Sequence, residues 1–214
     1  MLVTVGVTVI AGVALIVAVG LFAASSSTIV SEDFDDREAA FSTDTDNFVA
    51  LEYAQGGYQV TLKDAKSPQE ARTFFDPART AIRVESDASL LETPSSAAAG
   101  LSCYGSATSG YLFLVSNNGR YALVKVIDGT TGDATVLNEG HTDQSLGTTP
   151  LRLGLECTGA GSGGTRLSGT VNGTEVASVN DPDGYDQFRA AGYWVGAEDD
   201  PTVVLFDNLR IVEP

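Results

Sequence analysis

Gly110-Tyr111-Leu112-Phe113-Leu114-Val115-Ser116-Asn117-Asn118-Gly119-Arg120-Tyr121-Ala122-Leu123-Val124-Lys125 is the stretch that decides the fold class. Two runs of aromatic, β-branched and aliphatic residues flank an Asn-Asn-Gly connection, which reads as strand, turn, strand. Asn118-Gly119 predicts a type I′ hairpin turn, whose two central residues both need positive φ. Asn172-Gly173 predicts a second such turn, and Gly56-Gly57 a third. Outward from this hairpin, similar short runs recur, bounded by Gly, Asn, Asp and Ser. Strands are expected near 48–54, 58–63, 80–86, 101–104, 111–116, 121–127, 134–138, 151–157, 166–171, 174–179, 193–197 and 203–212. Ser67-Pro68-Gln69-Glu70-Ala71-Arg72 predicts one short helical turn, with Pro at its first position. Small-residue segments at 88–100 and 159–165 read as loops. So many short strands in one domain make an all-β sandwich or barrel.

Alternation assigns some faces. Leu151, Leu153, Leu155 and Cys157 share one side of their strand, with Arg152, Gly154 and Glu156 on the other. Leu101 and Cys103 likewise share a face. Both cysteines therefore point inward, and a Cys103–Cys157 disulfide is expected. Two buried free thiols are the alternative.

The N-terminus predicts a membrane segment. Leu2 to Ala24 carries no charge, and its length at helical rise, roughly 34 Å, exceeds a hydrocarbon core of roughly 30 Å. The expected organisation is a transmembrane anchor over 1–24, a linker over 25–29 and one domain over 30–214. A cleaved signal peptide is the alternative. The missing basic n-region and the length of the apolar run weigh against it. Two cysteines beside an export or membrane signal favour an oxidising compartment, so the domain is expected outside the cytoplasm on a single-pass membrane protein. The net charge of −16 repels nucleic acid and anionic lipid, which excludes nucleic acid as a partner.

Several stretches, in order, carry a resemblance. They are Val30-Ser31-Glu32-Asp33-Phe34-Asp35-Asp36, Tyr53-Ala54-Gln55-Gly56-Gly57-Tyr58-Gln59-Val60, Gly100-Leu101-Ser102-Cys103 and the 110–125 hairpin. Leu151-Arg152-Leu153-Gly154-Leu155-Glu156-Cys157, Val171-Asn172-Gly173-Thr174-Glu175-Val176 and Val203-Val204-Leu205-Phe206-Asp207-Asn208-Leu209-Arg210-Ile211 complete the series. Together they resemble the concanavalin A-like lectin/glucanase superfamily, in particular its non-catalytic bacterial extracytoplasmic domains, and are similar to 3-keto-disaccharide hydrolase-like domains. The resemblance implies a two-sheet antiparallel jelly-roll sandwich, a concave face that often binds glycans, and a first strand lying near the last.

The sequence carries no complete catalytic pattern. Glucanases of that superfamily carry Glu-x-Asp-x-x-Glu on one strand, where two carboxylates flank the glycosidic bond. Here Glu85-Ser86-Asp87 lacks the second Glu, and Glu198-Asp199-Asp200 precedes Pro201. His141, the sole histidine, sits in a polar segment with no Gly-x-Ser-x-Gly elbow to serve. Asp33, Asp35, Asp36 and Asp207 have calcium-type oxygens, but solvated strand-end acids explain them more simply. Asn172-Gly173-Thr174 matches a glycosylation triplet that the predicted turn already explains. No cofactor, metal or catalytic role is therefore expected.

A ligand is expected on an open sheet face carrying Tyr121 and Lys125, with Tyr111, Arg152, Glu156 and Trp194 as neighbours. Lys125 shares parity with Tyr121 and Leu123, so that face should open to water, and Glu156 is the expected carboxylate partner. The expected function is a binding or sensing module for a glycan or cell-envelope ligand. A structural or protein-interaction domain without a small ligand, and a sugar hydrolase of the 3-keto-disaccharide type, are the alternatives.

Overall fold

The computed structural model describes residues 26–34, 41–64, 68–92, 94–128, 130–198 and 201–214. The expected membrane segment, Asp35, Asp36, Ser67, Asp199 and Asp200 lie outside them. Among the described residues there are fifteen strands and no helix. They are β1 (Ser27–Glu32), β2 (Asp44–Thr45), β3 (Val49–Ala54), β4 (Gly57–Leu62), β5 (Gln69–Arg79), β6 (Ala81–Leu90), β7 (Ala97–Tyr104), β8 (Gly110–Ser116), β9 (Arg120–Ile127), β10 (Thr130–His141), β11 (Leu151–Gly161), β12 (Gly164–Val171), β13 (Thr174–Asp181), β14 (Phe188–Ala197) and β15 (Thr202–Glu213).

Two antiparallel sheets form a sandwich. The nine-stranded sheet runs β13-β12-β11-β6-β15-β4-β3-β2, with β1 also on β15, and the six-stranded sheet runs β10-β9-β8-β7-β14-β5. The first strand lies against the last, Glu32 opposite Leu209, as the resemblance implies. Inward side chains from both sheets fill the core. Tyr58, Tyr193 and Phe206 are fully buried, and the Tyr193 and Phe206 rings stack at 4.0 Å. Each such ring stabilises by roughly 1.5–3 kcal/mol through burial. The disulfide joins Cys103 on β7 to Cys157 on β11, with Cα atoms 6.8 Å apart, and so pins one sheet to the other.

Several local expectations are corrected. Residues 69–79 form strand β5 rather than a helical turn, because pairing with β14 outweighs the Ser-Pro signal. The small-residue stretch 88–100 is mostly strand: Ala97 and Ala99 pack into the core. The 159–165 stretch is a tight hairpin with Ser162 and Gly163 at positive φ. Of the three turns, Asn172-Gly173 has both residues left-handed (φ 48° and 78°). The second pair is Gln55-Gly56 rather than Gly56-Gly57, and at 117–119 only Gly119 is left-handed. The expected linker 25–29 overlaps β1.

Candidate functional site

The six residues expected to converge lie on three different surfaces. Tyr111 is fully buried in the core, and Tyr121 packs against it. Lys125 shares their face and also points between the sheets. Its ammonium is paired there: Nζ sits 2.7 Å from Asp181 Oδ2 and donates to the Asp183 carbonyl at 2.7 Å. Tyr111 donates to the same Asp181 Oδ2 at 2.7 Å. Arg152 and Glu156 lie on the outer face of the nine-stranded sheet. Glu156 accepts from Arg83 at 2.9 and 2.5 Å, and Arg152 contacts Glu85 at 3.3 Å and Asp87 at 3.4 Å. The expected Lys125–Glu156 pair does not form, because β9 and β11 belong to different sheets. Trp194 alone of the six lies on the outer face of the six-stranded sheet.

Strand register builds that outer face in rows. Glu70, Trp194, Gly100, Leu114 and Ala122 lie in one row across β5, β14, β7, β8 and β9. Arg72, Gly192, Ser102, Leu112 and Val124 form the next, and Phe74, Ala190, Tyr104, Gly110 and Val126 the third. Leu112, Val124 and Val126 cluster under Trp194, Leu114 and Ala122. The six-membered ring of Trp194 rests on Gly196, where a Cβ would strike it. Only a glycine lets the indole lie there. Pro68, Ser96, Ala98, Ser116 and Glu198 join Trp194 around a depression of about 330 Å³. It therefore combines an aromatic surface with hydroxyl and carboxylate groups at its margin.

Beside Trp194, the edge strand contributes a polar cluster that sequence reading missed. Tyr104 donates to Glu70 Oε2 at 2.7 Å, and Arg72 Nε lies 3.4 Å from the same oxygen. The Arg72 guanidinium lies 4.2 Å over the Tyr104 ring and donates to the Ala107 carbonyl at 2.7 Å. Burial pushes the Glu70 carboxyl up, against the lowering pull of Tyr104, Arg72 and Ser102. Burial likewise raises the Tyr104 hydroxyl. No sequence signal could have found this cluster without knowing that 69–79 is a strand on this sheet.

Glu85 and Asp87 sit on the nine-stranded face, bound to Arg152, and His141 is exposed at the end of β10. Among the described residues, no three His, Cys, Asp or Glu side chains converge as a metal would require. Asp33 and Asn208 border one shallow depression with Arg152. No helix among the described residues is long and apolar enough to cross a membrane.

The sheet order and the inner and outer faces define the class: a concanavalin A-like jelly-roll sandwich. No family model matches the chain, and no curated protein matches it. Solved structures do. The carbohydrate-binding module CBM66 from Bacillus subtilis superposes with a TM-score of 0.57 at 18% identity, over 82% of this chain and 96% of that one. The catalytic domain of an endo-1,3-β-glucanase (laminarinase) from Thermotoga petrophila gives 0.57 at 11% identity, over 88% and 98%. The GH43 protein BlXynB from Bacillus licheniformis gives 0.60 at 13% identity, but this chain spans 39% of its length. At such identities the likeness is one of fold.

Proposed function

We propose that this chain is a membrane-anchored, extracytoplasmic binding or sensing module, without catalytic activity, that takes a glycan on the outer face of the six-stranded sheet at Trp194. The observation that supports it is the indole seated on Gly196 beside Ser116 and Glu198. An aromatic surface covers the apolar face of a sugar ring, while neighbouring hydroxyl and carboxylate oxygens take its hydroxyls. The carbohydrate-binding and glucanase domains that share the fold lend support of a general kind. The Glu-x-Asp-x-x-Glu pattern is absent from the chain, which favours binding over hydrolysis.

Trp194 is the sole tryptophan, so its fluorescence reports this face alone. Soluble oligosaccharides titrated into the full chain should give a saturable change in emission with at least one member of a broad panel. A flat response throughout would instead leave a structural or interaction domain. Release of reducing sugar, or turnover of a 3-keto-disaccharide, would overturn the non-catalytic reading.

A further inference from the structure

We propose that the depression at Trp194 takes a saccharide bearing a protonated amino group, and that Glu198 is the residue that selects it; this rests on the glycan reading of that face.

Strand parity sets the geometry. Trp194, Gly196 and Glu198 share the outer face, opposite Gly100, Ala98 and Ser96 of the neighbouring chain segment. Glu198 lies one residue beyond β14, and its N–H donates to the Ser96 carbonyl at 3.1 Å. That bond extends the ladder and fixes where Glu198 stands. The indole leans along the strand onto Gly196, so that its Cη2, Cζ2 and Cζ3 atoms crowd the place a Cβ would take. Two residues of strand span about 7 Å. Glu198 therefore stands one pleat past the ring, a gap that a sugar stacked on the indole bridges. The depression measures about 330 Å³. Small-ligand sites run from roughly 300 to 1,000 Å³, so it suits a short saccharide.

The charges define the ligand. Among the described residues that line the depression, Glu198 is the one charged side chain, and no Lys or Arg offsets it. Glu198 is exposed, and its carboxylate has no ion pair or hydrogen bond among the described residues. The site is thus net negative, in a chain whose net charge is −16. The face of an indole carries the negative pole of its quadrupole and attracts cations as well. Ring and carboxylate therefore pull with the same sign on the same place. A sugar stacked on Trp194 with an ammonium directed at Glu198 meets both, while Ser96 and Ser116 take its hydroxyls. A neutral sugar keeps the stacking and forgoes the ion pair. An acidic sugar is repelled by both groups.

The test is calorimetric titration of the full chain in mildly acidic buffer, where sugar amines are protonated. The probes are β-1,4-linked trisaccharides that differ only in the substituent at carbon 2: glucosamine, N-acetylglucosamine and glucose. The amine should bind about fivefold tighter than either neutral sugar, the combined effect of an exposed cation–π contact and an exposed ion pair. Added salt should shrink that lead. Glu198→Gln should remove most of the lead without changing the melting temperature, since the side chain is exposed and the N–H bond to Ser96 is kept. Trp194→Ala should abolish binding of all three. Equal affinity for the three sugars would overturn the amino-sugar site and leave the glycan reading standing. An undiminished lead in Glu198→Gln would also overturn it, as would amine binding that survives Trp194→Ala, the mark of a general pull from an acidic surface. Silence from all three would overturn it too, and the broad oligosaccharide panel then decides the glycan reading by itself.

Discussion

Lys125 on β9 and Asp181 at the end of β13 meet between the two sheets at 2.7 Å, with side chains 13% and 7% exposed. The pair, joined by the Tyr111 hydroxyl on the same carboxylate, ties the six-stranded sheet to the nine-stranded one through polar contacts inside the sandwich. Lys125→Met leaves Asp181 buried without its cation, and should cost about 3–5 kcal/mol in denaturant unfolding. Replacing both residues, Lys125→Met with Asp181→Leu, should recover most of that loss. A single variant as stable as the wild type would show that the pair contributes nothing to folding.

Two carboxyls, Asp181 buried and Glu70 half-buried, should give the domain opposing pH slopes. Burial alone would push Asp181 up, but hydrogen bonds from Lys125, Tyr111 and the Asp183 N–H outweigh it and hold the carboxyl below the usual range. Its contribution is complete above the ordinary carboxylate value and is lost as pH falls through the depressed folded value. Glu70 is raised, chiefly by burial. Folding there favours the protonated acid, so stability declines as pH rises from the ordinary value through the raised one. Thermal melts across the acidic range should show Asp181→Asn flattening the low-pH limb and Glu70→Gln flattening the decline above it. The reverse assignment of limbs would contradict the geometry of both sites.

The Cys103–Cys157 bridge closes a loop with a sequence separation of 54. In the chain-entropy model, such a closure is worth about 4 kcal/mol. Cys103→Ser with Cys157→Ser should lower the unfolding free energy by about that amount. Non-reduced peptide mapping should find the two cysteine peptides linked.

The leucine alternation of 151–155 and the inward parity of both cysteines were legible because one apolar face of those strands packs on the core. The binding face was not, and Tyr121 to Lys125 shows why. Parity correctly grouped Tyr121, Leu123 and Lys125, but a lysine on that face implied water only if no buried acid faced it. Asp181 lies 56 residues further along the chain, in another sheet, and local pattern carries no trace of it. Trp194 was picked out as an aromatic, yet only the partner strands tell that Tyr193 points inward and Trp194 outward. Strand β5 was hidden because Glu70, Arg72 and Phe74 all face outward on a sheet edge, where polar side chains weaken the strand signal.

Membrane topology is open to direct assay. With 1–24 as an anchor and the domain outside the cytoplasm, protease added to intact cells should degrade residues 25–214. Survival of the domain until the membrane is broken would place it on the other side.

The measurement that tests the central proposal most directly is a glycan array probed in parallel with the wild-type chain and Trp194→Ala. Trp194 lies on an outer face and forms no part of the main core, so the variant should fold and melt close to the wild type. The account predicts glycans retained by the wild type and lost by Trp194→Ala, at a cost of at least tenfold in affinity. No retained glycan, or retention undiminished by the substitution, would contradict it.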